Sequence, residues 1–254
     1  MRSTLMLAAL LIAMDADAAT AKETRETADE DRSWTASAEF GLAVASGNAE
    51  STTINGAFDF LREEDRWFYG FNAAALRAEA EDELSANRYE LGLKLGYDFS
   101  DRTYAFGSLR HERDDFASFE TQSIASGGVG YRFIDTRATR LVGEFGPGLR
   151  RVQPIDEAVG TPPVLVRVDA QTDAIARGSV DFRHRLTDTT RIDNDLLVEA
   201  GGGSTFVQND LGLRVRMSER LALRAGYQVR HTTDVPPGIE KTDTLFTTNL
   251  VLGF

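Results

Sequence analysis

The chain carries three histidines, His111, His184 and His231, and no cysteine. Histidine serves as a general base or a metal ligand, but both roles need partners at set spacing. No His-Glu-x-x-His or related pattern is present, and without cysteine there is no thiolate site and no disulfide. His184-Arg185-Leu186 and His231-Thr232-Thr233 offer no adjacent nucleophile. A serine–histidine pair made by folding stays open, because such pairs are set by geometry rather than by order. Glycine runs at 126–130 and 201–204 could cradle a phosphate only if one opened a helix after a strand, and neither does. The first is better read as a bend in a strand or a place where an inward side chain is excluded. The sequence therefore predicts no catalytic residue, no metal and no cofactor.

A second set of residues could act through charge. Asp193, Asp195 and Glu199 stand at even spacings in one segment, and Asp210, Arg214, Arg216, Arg224 and Arg230 follow in the next two. Even spacing puts side chains on one face of a strand. If sequential strands pair, an acidic wall stands beside a basic one. Such walls can set selectivity across a water-filled pore for small polar solutes. Equally, they can pair between neighbouring strands and fill the space, at about 0.2–1 kcal/mol per pair. Both readings need these residues inside one barrel.

The strands that must position them are legible. In "NRYELGLKLGYDF", Tyr89, Leu91, Leu93, Leu95, Tyr97 and Phe99 alternate with Arg88, Glu90, Gly92, Lys94, Gly96 and Asp98. One face is apolar and the other polar or glycine, which a helix would mix. The same pattern predicts strands over 34–46, 51–62, 67–78, 87–99, 103–112, 121–133, 139–150, 170–185, 190–200, 204–217, 221–231 and 241–254. Short polar turns lie at 62–66, 100–102, 134–138, 186–189 and 218–220. More varied connections alternate with them, at 79–86, 112–120, 151–169 and 232–240 among others. Short turns at one end and longer loops at the other fit an outer-membrane barrel.

Alternation alone does not say which face meets lipid. Aromatic residues decide it, because Trp34, Phe58, Phe60, Trp67, Tyr69, Tyr97, Phe99, Tyr104, Phe106, Tyr131, Phe133, Phe182 and Phe254 all lie beside the short turns. On a closed barrel they form a belt at one height, where amphipathic rings favour the membrane–water interface. Tyr89, Phe206 and Phe246 are candidates for a thinner belt at the other edge. The strands are also long enough for a tilted crossing of roughly 9–11 residues. The expected fold is all-β, a twelve-stranded antiparallel up-and-down transmembrane β-barrel over 33–254.

The N-terminus points to export. One arginine, Arg2, precedes an apolar stretch from Leu5 to Met14 and then Ala16-Asp17-Ala18, the order of a secretory signal peptide over 1–18. Residues 19–32 are charged and lack branched apolar residues, and they are expected to be a disordered acidic leader. The net charge is −12 and the mean hydropathy −0.28. That charge speaks against nucleic acid, whose partners carry a basic footprint.

Three stretches resemble a known family. "FGLAVASGNAESTTINGAFDF", with Ser46-Gly47-Asn48 before a threonine-rich strand, is similar to the opening hairpin of the YdiY-like, salt-induced outer-membrane proteins, a domain of unknown function numbered 481. "GVGYRFIDT" and "KTDTLFTTNLVLGF" resemble that family's central and closing segments. The resemblance implies a barrel in the outer membrane of a Gram-negative bacterium and no established chemistry. The expectation is a non-enzymatic barrel, either a narrow passive channel or a structural envelope protein. The alternatives are a lipid-acting enzyme resembling the outer-membrane phospholipase, or an adhesion barrel that uses its loops. Expected partners are outer-membrane lipids and the barrel assembly machinery. A closing strand with Leu250, Leu252 and a terminal Phe254 resembles the signal that machinery reads.

Overall fold

The computed structural model describes residues 33–45, 51–80, 83–117, 119–155, 157–159, 164–235 and 240–253. The segments expected to be a signal peptide (1–18) and a leader (19–32), and Phe254, lie outside the described residues. The described residues form fourteen strands: β1 (Trp34–Ala45), β2 (Ser51–Glu64), β3 (Trp67–Ala80), β4 (Glu83–Asp98), β5 (Thr103–Asp114), β6 (Phe119–Asp135), β7 (Thr139–Pro154), β8 (Glu157–Val159), β9 (Val164–Val166), β10 (Gln171–Arg185), β11 (Thr190–Gly201), β12 (Ser204–Arg216), β13 (Leu221–Thr232) and β14 (Thr242–Gly253). Twelve of them close into one antiparallel barrel, each paired with its neighbour in sequence apart from the β7–β10 step, while β8 and β9 form a hairpin in the loop over that step. Among the described residues there is no helix.

Closure comes from β1 against β14, where Ser37–Phe40 pair with Gly253–Leu250. This seam is short beside the β1–β2 ladder, which runs from Trp34 to Ala45. A closed sheet leaves no free edge for another chain to pair with.

Burial is inverted relative to a water-soluble protein. Phe145 is 65% exposed and Phe246 57%, whereas Glu112 and Asn249 are 0% exposed and Glu199 1%. The apolar set faces out and the charged set faces in, as a lipid-facing barrel requires. Twelve strand residues rise roughly 40 Å, and a tilt of about 40° brings that near the bilayer thickness.

Several sequence expectations need correction. Strands β3 and β4 continue to Ala80 and from Glu83, so most of the connection expected over 79–86 is strand. Likewise β5 runs to Asp114 and β6 starts at Phe119. Polar side chains do not end a strand, because the ladder is made by the backbone and its pairing continues through Ala80 with Glu83 and Arg88 with Asp114. The contrast in loop length therefore rests chiefly on the connections after β7 and β13. The segment expected as a plain loop over 151–169 continues β7 to Pro154 and carries the β8–β9 hairpin.

The aromatic belt is also smaller than expected. Trp34 stacks on Phe60, Trp67 meets Tyr97 edge-on, and Tyr131 meets Phe133, all on the outer face beside the short turns. Tyr104 and Phe106 instead point inward and are 4% and 6% exposed. Phe206, expected in the opposite belt, is inward too, whereas Tyr89 and Phe246 face out.

Candidate functional site: a filled lumen

The inward face of each strand supplies the lumen, and its contents differ with height. Near the long-loop end, Arg110 Nη2 of β5 donates to Glu199 Oε2 of β11 at 2.7 Å. Arg230 Nη2 of β13 donates to Glu112 Oε1 of β5 at 2.8 Å. Arg88 of β4 completes this knot, 3.3 Å from Glu112 and donating from Nε to Asp114 Oδ2 at 2.7 Å. Both arginines that cross the lumen lie over the Phe206 ring, Arg230 at 5.0 Å and Arg110 at 5.7 Å from its centroid. Phe206 is therefore a cation–π platform inside the barrel, which explains its inward face.

A second network lies lower. Arg214 Nη2 of β12 donates to Glu39 Oε1 of β1 at 2.9 Å. Asn249 Nδ2 donates to the other oxygen of Glu39 at 3.2 Å, and Asn55 Nδ2 donates to Asn249 Oδ1 at 3.1 Å. Arg224 Nη2 of β13 donates to Asp193 Oδ2 of β11 at 3.1 Å. Asp210 accepts from Gln208 Nε2 at 2.8 Å and from Gln228 Nε2. Asp195 lines an internal cavity of about 60 Å³ together with Asp210, Glu199 and Arg110. That is room for about two waters at the liquid's volume per molecule.

The third network joins the charges to an apolar cluster. Glu144 of β7 lies 2.7 Å from Lys94 Nζ and 3.3 Å from Arg177 Nη1, and it accepts from the Tyr104 hydroxyl at 2.6 Å. Below it Leu61, Phe68, Tyr104, Phe106 and Val142 pack together. Glycines across the register make room for these rings: Phe68 pairs with Gly96, and Tyr104 with Gly130. A Cβ on Gly96 would stand 1.9 Å from the Phe68 ring, and one on Gly130 2.1 Å from the Tyr104 ring. Within the stretch at 126–130, Gly128 and Gly130 thus leave out an inward side chain, as its composition suggested, while Ser126 keeps one that meets Ser108. These glycine–aromatic pairs were missed in the sequence, although strand register applied to the inward positions would have exposed them.

The structure brings together all but one of the expected lumen charges. Asp193, Asp195, Glu199, Asp210, Arg214, Arg224 and Arg230 lie in the networks above. Arg216 lies at the short-turn mouth, exposed, where its Nη2 donates to the Asp188 carbonyl at 2.6 Å. The acidic strand β11 does stand beside the basic β12 and β13, and Arg224 of β13 reaches Asp193 of β11. Glu199, Arg214 and Arg230 instead find Arg110, Glu39 and Glu112 on β5 and β1, because long guanidinium arms span the interior. Leu250 and Leu252 face outward, as the closing strand required.

The three histidines do not meet. Each ring Nδ1 lies 2.8 Å from a hydroxyl on the paired strand: His111 with Ser123, His184 with Thr139 and His231 with Thr242. The serine–histidine neighbour therefore sits at His111 rather than near His184 or His231. Among the described residues no group of three acids, histidines or cysteines is placed to hold a metal ion.

Residues 38–254 match the family described as "Protein of unknown function, DUF481". The chain belongs to this family. Within it, the Escherichia coli (strain K12) "Uncharacterized protein YdiY" is 24% identical over 217 residues, covering 84% of this chain and 80% of that one. Among solved structures, the translocator domain of the autotransporter NalP from Neisseria meningitidis is 12% identical and covers 93% of both chains, with a TM-score of 0.49. The NanC porin is 10% identical and covers 87% of this chain and 97% of its own, with a TM-score of 0.44. These likenesses concern the fold. The filled lumen is read from this DUF481 chain's own residues.

Proposed function

We propose that this DUF481 protein is a non-enzymatic outer-membrane barrel that is closed to ions and solutes at rest, an envelope barrel of structural kind rather than an open channel. One observation carries the reading: the ion pairs Arg110–Glu199 and Arg230–Glu112 cross the lumen with acid side chains only 2% and 1% exposed. A water-filled pore keeps its wall charges hydrated, and these are not. Purified protein in planar bilayers is expected to show no steady conductance. The double variant Arg110→Ala/Glu199→Ala is expected to open a measurable step. Steady conductance of the unaltered protein would overturn the closed reading.

The outward leucine and aromatic face supports outer-membrane lipids as partners. The closing strand supports recognition by the barrel assembly machinery. Phe254→Ala is expected to lower membrane insertion more than it lowers the stability of barrels already folded. Surface levels equal to wild type count against that.

A second reading is favoured by the His111–Ser123 contact, which lies on the outer face where a lipid could reach it. Its geometry suits general-base activation of a hydroxyl. Against it, the same contact recurs twice with threonine, and strand backbone N–H groups are committed to the ladder rather than to an oxyanion. Phospholipid hydrolysis by the purified protein, abolished in Ser123→Ala, would establish the enzyme reading. Absence of hydrolysis removes it.

A further inference from the structure

At the short-turn end, β10 to β14 and β1 surround a cavity of about 350 Å³. Five arginines line it: Arg185, Arg191, Arg214, Arg216 and Arg220. Two lining acids, Asp188 and Glu219, oppose them. Arg214 pairs with Glu39 and Arg216 donates to the Asp188 carbonyl, so the five lining arginines outnumber Asp188, Glu219 and Glu39. The mouth is thus locally positive on a chain whose net charge is −12. Low-dielectric walls of one sign focus the field on whatever enters.

The turn hydroxyls add to this. Thr187 Oγ1 accepts from the backbone N–H groups of Thr189 and Thr190 at 3.3 and 3.0 Å, and Ser218 Oγ accepts from that of Arg220 at 3.4 Å. Both line the cavity, and since each hydroxyl acts as acceptor in these bonds, its proton is left to donate. Guanidinium forks match carboxylate and phosphate oxygens two at a time. The volume falls at the small end of ligand sites, roughly 300–1,000 Å³.

We propose that this mouth binds a small polyanion bearing phosphate or carboxylate groups, entering from the side of the short turns. The proposal stands on the cavity and its charge and does not depend on whether the lumen conducts. Inorganic pyrophosphate is the probe, titrated calorimetrically at low salt into the full chain in uncharged detergent. One saturable site is expected. Arg216→Gln/Arg220→Gln is expected to weaken it about tenfold or more, as loss of charge-assisted hydrogen bonds implies. Arg102→Gln/Arg137→Gln changes the same charge at other exposed turns of the same end and is expected to leave affinity unchanged. Absence of saturable binding overturns the proposal, as does equal weakening in both double variants, which is the mark of general charge attraction. Removal of residues 19–32 is expected to leave affinity unchanged. A rise of about tenfold would mean that the acidic run Asp29-Glu30-Asp31 is the natural occupant, and would overturn the proposal as well. Heat-modifiable migration on gels confirms that each variant is a folded barrel.

Discussion

The two sides of the lumen at the short-turn end are built in opposite ways. Beneath β2 to β7 the floor is Leu61, Phe68, Tyr104, Phe106 and Val142, capped by Glu144 with its cations. Between β10 and β14 the floor is absent, and arginines surround an open cavity. The difference follows from what each set of strands places on its inward positions near the turns. Strands β3 and β5 offer rings there, and β4 and β6 offer glycine in register with them. Strands β10 to β12 offer arginine, which is too long and too hydrated to close a floor. One side gains stability by dry packing. The other keeps charge in reach of water and of anions.

Glu144 is where this contrast is sharpest. It accepts from Tyr104 and faces Lys94 and Arg177. Glu144→Ala strands two cations above an apolar cluster, and breaking such buried pairs costs about 3–5 kcal/mol. Denaturant midpoints of the folded barrel in detergent are expected to fall accordingly. A change below about 1 kcal/mol would show that the two sides differ less than their packing suggests.

A smaller effect is expected at Gly130. A Cβ there meets the Tyr104 ring, so Gly130→Ala must displace the ring, at about 1–3 kcal/mol for overpacking. Gly107→Ala is the control, since a Cβ there meets nothing within 4 Å. Equal effects of the two variants in the same unfolding assay would mean that glycine's role is conformational rather than spatial.

The smallest effect belongs to the basic side. Arg216→Gln/Arg220→Gln removes exposed side chains outside the buried networks. It is expected to change stability by less than about 0.5 kcal/mol while weakening anion binding. Raising salt sharpens the same contrast. Exposed charges are screened and buried pairs are not, so anion affinity is expected to fall with salt while the unfolding midpoint of the barrel barely moves.

Much of the fold was readable because alternation is local. In β4, Leu91, Leu93 and Leu95 face out and Glu90, Gly92 and Lys94 face in, as the two-residue period demands. Where the reading failed, residue type had replaced periodicity. Tyr104 and Phe106 share a face with Arg110 and Glu112, and the parity of β5 assigns all four to the lumen. Treating them as belt aromatics ignored that parity. Glycines Gly96, Gly128 and Gly130 stand opposite them in register and were the signal for inward rings.

The sequence by itself determined the class of the molecule: which segments are the twelve barrel strands, that one face suits lipid and the other charge, and that no metal-ligand pattern is written along the chain. These follow from the pleat, which sends successive side chains to opposite faces. Only the tertiary structure decided which charges meet. Arg110 and Glu199 are 89 residues apart, Glu112 and Arg230 are 118 apart, and Glu39 and Arg214 are 175 apart. Their pairing depends on closure, on register and on the reach of a guanidinium across the interior. None of these is a local property of the chain. The basic mouth has the same origin, since its arginines come from three strands and a turn that only the closed barrel brings around one cavity.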